Sequence, residues 1–422
     1  MGPEHSQKPF LSKIKASASY SASLQLVLLF GLVSLTADMT YEGARSILGP
    51  FLSTVGATGS AIGFIAGLGE LTGYLVRIFA GSIGDKTKGH WAFVYVGYFI
   101  NQIAVPLLAL ARSWPQIACL VVLERLGKGI RSPSRDVLLS TATEGMGRGI
   151  GFGIHEALDQ LGAMIGPLLV SLAMIYWKNY RTALGVLFIP AFFSLLFLFI
   201  THNRYKKAIH AITDPQEQLE QEDSPSTTKS GLGKEFWIYI TALGFIAMGY
   251  VDFPLIAYHL GKRGLFNEYE LPLLYTLAMG IDAVVALVAG KLFDKSGISS
   301  MIWPIIMGSL ASPLIFVFPL QTLALVGMIF WGIGLGVQES VVRAALASLV
   351  PPPIRGRAFG IYYFVFGLFW FLGSFVLGFL YDHSTLYVAV CSFLLQIMAI
   401  PMLQSCQRKS SIQGINSNRP RV

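Results

Sequence analysis

The chain has 422 residues, of which 54% are hydrophobic and only 13% are charged, and its mean hydropathy is +0.60. A composition this apolar excludes an ordinary soluble protein. The formal net charge of +8 could suggest nucleic-acid binding, but the basic residues gather in short segments between apolar stretches. That distribution is typical of membrane topology. We therefore predict an all-α polytopic membrane protein that binds no nucleic acid.

Twelve segments are apolar over the roughly 20 residues that a spanning helix needs. We number them span 1 to span 12 in chain order: 22–48, 61–80, 91–111, 116–140, 150–174, 182–200, 236–258, 271–290, 301–319, 321–349, 358–380 and 385–404. They form an N-terminal bundle over 22–200 and a C-terminal bundle over 235–404. The polar linker over 201–234 joins these bundles, and 1–21 and 405–422 are predicted as terminal segments.

Basic residues are concentrated between spans on the side that carries both termini. The positive-inside rule therefore predicts that both termini are cytoplasmic, in a cell membrane that we expect to be a bacterial inner membrane. The three cysteines, Cys119, Cys391 and Cys406, have no disulfide or metal-ligand spacing. No phosphate-binding loop is present either, so the sequence implies no metal, no ATP and no cofactor.

Two short patterns occur once in each half. The turn Gly81–Lys86 returns as Gly290–Lys295, with an aspartate before the lysine in both copies. Gly129 and Gly166 are followed at one common offset by Gly336 and Gly373. Two apolar halves with the same signals indicate a pseudo-symmetric secondary transporter, whose substrate binds between the halves near the bilayer midplane.

The turn Gly81–Gly89 resembles the signature loop of the major facilitator superfamily, whose pattern is Gly-x-x-x-Asp-Lys/Arg-x-Gly-Lys/Arg. The second copy keeps its glycine, aspartate, lysine and last glycine, whereas the first has Lys88 where that last glycine belongs. The resemblance covers essentially the whole chain. It implies two six-helix bundles, with spans 1, 4, 7 and 10 around a central cavity that opens to each side in turn.

The repeated turn is also a candidate latch for the outward-open state. A carboxylate at the start of a helix is stabilised by the helix dipole. We therefore expect Asp85 to face the start of span 11 at Arg355, and Asp294 to face the start of span 5 at Arg148. The predicted latch consists of Gly81, Asp85, Lys86, Arg135, Gly290, Asp294, Lys295 and Arg343.

Two further patterns point to proton coupling. Arg125, four residues before Gly129, resembles a second signature of the superfamily, in which the arginine is associated with proton transfer. Arg125 could instead only pair with a neighbouring carboxylate. In span 5, Gly153, Gly162, Gly166 and Pro167 resemble the pattern of the antiporters, although the usual closing Gly-Gly is Val170-Ser171 here. The alternative is generic packing between small residues.

Ionisable residues within apolar spans are costly and mark candidate functional sites. Asp38, Glu42 and Arg45 share one face of span 1, and a basic stripe that includes Lys128, Arg131 and Arg135 runs along span 4. An acidic stripe opposite a basic one suits proton uptake and release, since burial disfavours the charged form of a carboxyl group. The candidates for proton coupling are Asp38, Glu42, Arg125, Glu156 and Asp159.

The second half contributes few charges and many aromatic residues. Tyr250 to Pro254 is expected to break span 7, and broken helices often form binding sites in transporters. The candidates for substrate binding are Arg45, Arg131, Tyr250, Asp252 and Glu339.

These patterns favour a monomeric, proton-coupled exporter of small organic molecules. The alternative is a proton symporter that imports an anionic metabolite or a siderophore-like compound. An intramembrane metalloprotease is disfavoured, because His155-Glu156-Ala-Leu-Asp159 has aspartate where the HExxH motif needs its second histidine. We therefore predict a transporter rather than an enzyme.

Overall fold

The computed structural model describes residues 4–212, 232–351 and 354–417, and the regular elements in these ranges are all helices. The helices are α1 (Glu4–Thr54), α2 (Gly59–Thr87), α3 (His90–Leu107), α4 (Trp114–Ala142), α5 (Arg148–Trp177), α6 (Tyr180–Val186), α7 (Phe188–Ile212), α8 (Lys234–Gly249), α9 (Phe253–Lys262), α10 (Glu270–Ser296), α11 (Ile302–Phe316), α12 (Gln321–Leu349), α13 (Arg355–His383) and α14 (Thr385–Ser417).

Ten segments of the described ranges are long and apolar enough to cross a membrane. One of them, Glu270–Phe316, contains both α10 and α11. The 29-residue helix α4 is not among the ten. It carries the basic stripe and two carboxylates, Glu124 and Asp136, which lower its mean hydropathy. The all-α membrane class is confirmed, and the number twelve stays a prediction.

The expected break in span 7 is present. α8 ends at Gly249, α9 begins at Phe253, and the backbone between them is extended. Span 6 is likewise divided, into α6 and α7. The predicted domain boundaries at 21, 200 and 404 fall inside continuous helices, because helical hydrogen bonding continues past the apolar stretch. Most of the predicted linker, 213–231, lies outside the described residues.

The internal repeat corresponds to a repeated packing arrangement. A Cβ atom at Gly166 of α5 would overlap the carbonyl oxygen of Met39 in α1. A Cβ atom at Gly373 of α13 would overlap the carbonyl oxygen of Met248 in α8 in the same way. Each half thus joins its first and fifth spans through a glycine, which alone allows this close approach.

The two halves meet along the pairs α2/α13, α5/α10 and α1/α9. At one end of the molecule the pairs α1/α9 and α2/α13 touch through their backbones, since a Cβ atom at Gly49 would overlap the Pro254 carbonyl and one at Gly63 the Ser374 carbonyl. We call this the closed end. Between the halves at the other end, a Cβ atom at Gly153 or Gly360 would meet nothing within 4 Å. This open end carries the turn Gly81–Gly89.

Candidate functional site

A cavity of about 270 Å³ lies between the halves and is lined by both. Its charged lining comes mainly from the first half, and the second half contributes most of the aromatic rings, as the sequence indicated. The basic lining residues are Arg45, Arg77, Arg125, Lys128, Arg135 and Arg343. The acidic lining residues are Glu42, Glu70, Asp136, Glu156, Asp159 and Glu339.

Arg45 connects three carboxylates, two on helices α1 and α2 and one in the break between α8 and α9. Its guanidinium lies 3.3 Å from Glu70 of α2, 3.7 Å from Asp252 of the second half and 3.9 Å from Glu42. Arg125 continues the network, at 3.2 Å from Glu70 and 3.3 Å from Glu124. Charges paired this closely inside a membrane protein are neutralised locally. The pairing expected as an alternative for Arg125 is therefore present, and it leaves a coupling role open.

Two contacts in this network cross between the halves. The Tyr275 hydroxyl of α10 donates a 2.5 Å hydrogen bond to Glu42 of α1. Asp252, which is 3% exposed, accepts hydrogen bonds from the Trp370 indole at 2.9 Å and from the Ser374 hydroxyl, in addition to its ion pair with Arg45. Separation of the halves here therefore breaks the Tyr275–Glu42 hydrogen bond and the Arg45–Asp252 ion pair.

A second group of acidic residues has no such partners. Glu156 and Asp159 of α5 and Glu339 of α12 line the cavity, and none has a basic group within 4.0 Å among the described residues. The Gln160 amide donates to Asp282 of α10 at 3.0 Å and to Glu339 at 3.4 Å. The unpaired carboxylates therefore lie where α5 contacts the second half.

Basic groups without an acidic partner occupy other positions in the lining. The Lys128 ammonium donates to the Tyr41 hydroxyl at 2.8 Å. The Arg77 guanidinium lies 5.7 Å and 5.4 Å from the ring centres of Tyr74 and Tyr363. Within the described ranges neither forms an ion pair.

Aromatic rings complete the lining on the side of the second half. The rings of Tyr250 and Trp331 are 5.2 Å apart, and those of Tyr250 and Trp370 are 5.7 Å apart. The Tyr250 hydroxyl donates to the Trp331 carbonyl at 2.6 Å, and the Trp331 indole donates to the Val251 carbonyl at 2.8 Å. With their polar atoms engaged in this way, these residues present mainly apolar surface to the cavity.

A family model of the major facilitator superfamily matches residues 30–374. The chain belongs to the major facilitator superfamily. This superfamily member is 35% identical over 398 residues to an uncharacterized protein of Mycobacterium tuberculosis, with 93% of this chain and 95% of that protein covered. It is 27% identical over 380 residues to an uncharacterized MFS-type transporter of Methanocaldococcus jannaschii, with coverages of 85% and 89%.

One relative that matches only part of the chain and one solved structure of low sequence identity are also similar to it. A multi-drug resistance efflux pump PmrA homolog of Lactococcus lactis is 27% identical over 184 residues, which are 42% of this chain and 45% of that protein. In structure, a bacterial homolog of the human lysosomal transporter Spinster superposes with a TM-score of 0.72 at 14% identity, over 92% of this chain and 97% of that one. The fold is that of membrane transporters and not of enzymes.

Of the ten residues predicted for proton coupling or substrate binding in this superfamily member, seven line its cavity: Glu42, Arg45, Arg125, Glu156, Asp159, Tyr250 and Glu339. Arg135 and Arg343 of the predicted latch line it as well. Asp38 and Arg131 lie outside the lining and are 5% and 0% exposed. The Arg131 guanidinium stacks 4.1 Å from the centre of the Tyr98 ring, and its nitrogens have no hydrogen-bond partner among the described residues. Asp252 is also absent from the lining, since Trp370, Ser374 and Arg45 enclose it.

The predicted latch is not formed in this conformation. Asp85 and Asp294 are exposed, and neither has an ion pair with another described residue. Arg135 pairs instead with Asp136 at 2.9 Å, and Arg343 donates to the Glu339 carbonyl at 2.9 Å. The open end, where the latch would form, is the end at which the halves are apart.

The glycines of the antiporter-like motif have different surroundings. Gly162 and Gly166 pack against the α1 backbone, where a Cβ atom would overlap the carbonyl oxygens of Leu35 and Met39. Pro167 is buried within α5, and Gly153 faces open space. The motif therefore holds α5 to α1 inside the first half.

Several lining residues are absent from the predicted site. Glu70 is a charge within the apolar span 2, and Lys128 belongs to the basic stripe of span 4, but neither was assigned a role. Tyr275, Trp331 and Gln338 gave no comparable signal, because aromatic and amide residues are common in packed membrane helices.

Proposed function

We propose that this transporter exports small organic molecules across a membrane in exchange for protons. The observation that carries the proposal is the group of unpaired carboxylates, Glu156, Asp159 and Glu339, facing one cavity. A membrane-buried carboxyl group with no cation beside it can hold a proton or the cationic group of a substrate. Because the two compete for the same oxygen atoms, binding of one releases the other, as antiport requires.

The position of these carboxylates connects their occupancy to the conformational cycle. Gln160 of the first half donates to both Asp282 and Glu339 of the second half. Protonation of either acceptor removes a charge from this contact between halves and so changes its strength. A ligand shifts a conformational equilibrium only by its differential affinity for the two states, and this contact is a physical source of such a difference.

Three further points support export. Gly153, Gly162, Gly166 and Pro167 resemble the antiporter pattern, and one partial relative carries the name of a multidrug efflux pump. If both termini are cytoplasmic, as the distribution of basic residues predicts, the open end faces the cytoplasm, and substrate enters the cavity from the cytoplasm.

The proposed exporter acts as a monomer in the bacterial inner membrane, because each chain holds a complete cavity.

Proton symport of an anionic metabolite or a siderophore-like compound into the cell is the second candidate. Arg77 and Lys128 favour it, because both face the cavity and neither has a carboxylate partner in the described part of the chain. Under this alternative an anionic substrate neutralises them during import.

The test is a measurement of lumenal pH in everted vesicles energised acid-inside, during addition of metabolites, siderophores, drugs and dyes. We expect proton release on addition of a substrate, with loss of the signal in Glu156→Gln and Glu339→Gln. Lys291→Gln, which removes an exposed charge outside the cavity, serves as the control and should behave as wild type. Proton-driven uptake of an anion into right-side-out vesicles, with no exchange in everted ones, would establish the importer.

A further inference from the structure

Most of the cavity-lining charges without an ion pair in the described ranges are grouped by sign. Glu156 and Asp159 lie on α5, which meets α10 of the second half, and Glu339 is joined to the same place through Gln160. Arg77 lies on α2, which meets α13, and its guanidinium is next to Tyr363 of that helix. Lys128 lies on α4, which packs closely on α2. The unpaired carboxylates thus lie along α5 and α12, with Arg343 one turn from Glu339, and we call this the acidic side. Arg77 and Lys128 lie along α2 and α4, where Glu70 is already paired with Arg45 and Arg125, and we call this the basic side.

The basic side has unused capacity to bind an anion. Arg77 contacts the Tyr74 and Tyr363 rings, and its buried Nε atom has no hydrogen-bond partner among the described residues. The Lys128 ammonium donates to the Tyr41 hydroxyl and has no carboxylate within 4.0 Å among the described residues. Arg77 and Lys128 are both half-buried, and an anionic group that reaches this side gains charge-assisted hydrogen bonds from them.

A separate observation places a hydrogen-bond donor of the ligand near the acidic side. Gln338 lines the cavity and is 8% exposed, and its Nε2 atom donates to the Gly334 carbonyl at 3.2 Å. Its Oε1 atom is buried and accepts no hydrogen bond from any described group. A buried acceptor without a donor carries a desolvation cost that a ligand N–H group would remove. Gln338 and Glu339 both line the cavity, but neighbouring positions of a helix do not face each other, so a separate N–H group of the ligand would donate to each.

We propose that the substrate is an amphoteric aromatic molecule, which carries a cationic nitrogen group and an anionic group on one planar, apolar body. The cation binds Glu339 and Glu156, the anion binds Arg77 and Lys128, and the body packs on Tyr250 and Trp370. The inference rests on the proposed function and names its substrate class. A molecule with only one charge leaves the charges on the opposite side of the cavity without a partner. The lost interaction lowers its affinity, so the cavity selects the amphoteric molecule over its singly charged analogues.

Calorimetric titration of the purified transporter in nanodiscs tests this assignment. The probes are phenylalanine and tyrosine, each compared with its cation-only counterpart (phenethylamine, tyramine) and its anion-only counterpart (3-phenylpropionate, 3-(4-hydroxyphenyl)propionate). We expect at least one zwitterion to bind about tenfold more tightly than both of its counterparts. Equal affinities within each set, or no binding by either zwitterion, would overturn the inference.

Two variants then assign the sides. Arg77→Gln should lower zwitterion affinity to that of the cation-only compound, and Glu339→Gln should lower it to that of the anion-only compound. Arg77→Lys keeps the charge and should retain most of the affinity, which guards against misfolding, and Lys291→Gln is the control. An equal loss of affinity for the zwitterion, the cation-only compound and the anion-only compound in Arg77→Gln would contradict the assignment. Since titration needs no gradient, selective binding without proton exchange would reject only the proposed antiport.

Discussion

The Asp382 carboxylate, near the end of α13, accepts hydrogen bonds from the backbone N–H groups of Gly59 and Ser60 at 2.7 and 2.8 Å, where α2 begins. The Ser60 hydroxyl adds a third hydrogen bond at 2.5 Å. A negative charge from one half is thus placed on the N-terminus of a helix in the other half, where the helix dipole stabilises it. The latch predicted at Asp85 would use the same chemistry at the opposite end of the molecule.

Asp382→Asn should weaken the closed end. Asparagine keeps the shape but loses the charge, and replacement of a helix-capping group costs about 1 kcal/mol, which corresponds to a roughly fivefold change in population. We expect a larger fraction of molecules in which the two halves have separated at the closed end. Spin labels at the exposed positions Thr54 and Leu386, with distances measured by pulsed electron resonance, report that fraction. An unchanged distance distribution would show that the backbone contacts alone keep the end closed.

Arg45 and Asp252 should be energetically coupled. Arg45→Gln leaves the buried Asp252 carboxylate without its cation, and loss of one partner of a buried pair costs about 3–5 kcal/mol. Adding Asp252→Asn to Arg45→Gln should recover part of the loss, because the uncompensated charge is then gone. Thermal unfolding of both single variants and the double variant measures the coupling. Additive effects would mean that the 3.7 Å contact contributes no stability.

Gly162→Ala and Gly153→Ala should differ although they belong to one motif. At Gly162 the added methyl group overlaps the Leu35 carbonyl, and overpacking costs roughly 1–3 kcal/mol. At Gly153 it meets nothing within 4 Å, and alanine favours the helix. We expect a lower unfolding midpoint for the first variant only. Gly162→Leu, which is larger still, should leak protons or stop transport, and a wild-type rate would make the motif match incidental.

Asp85→Ala should slow the cycle and leave the range of substrates unchanged. Asp85 has no ion pair with any described residue in this conformation, so its loss should not affect binding from the open end. The opposite state would lose its latch, and turnover should fall several-fold. Titration gives the affinity, and the initial rate of proton exchange gives turnover. Asp294→Ala is the matched variant, and a changed substrate range in either would contradict a purely conformational role.

The sequence predicts the class of the molecule better than its individual contacts. The repeated glycines allow two helices to pack backbone to backbone, and Gly166 and Gly373 make this contact at equivalent positions of the two halves. Helical spacing placed Asp38, Glu42 and Arg45 on one face of span 1, and Glu42 and Arg45 line the cavity whereas Asp38 does not. Spacing fixes which residues share a helix face but not which neighbouring helix covers that face. The roles assigned to these residues stay predictions.

Contacts between residues far apart in the chain could not be predicted from the sequence, for a similar reason. Asp252 was expected to bind substrate, yet the indole of Trp370 and the hydroxyl of Ser374, more than a hundred positions away, enclose it. Arg131 was expected in the cavity and stacks on Tyr98 instead. Both outcomes depend on tertiary packing, which the composition and hydrophobic periodicity of one sequence do not reveal.

The closed end has one further consequence. Its contacts at Gly49 and Gly63 join backbone to backbone, whereas the Phe64 ring of α2 lies 5.9 and 6.2 Å from the Phe371 and Phe375 rings of α13. Opening this end therefore has to separate these rings and break the hydrogen bonds from Gly59 and Ser60 to Asp382. Because breaking such contacts costs enthalpy, the rate of opening should rise clearly with temperature.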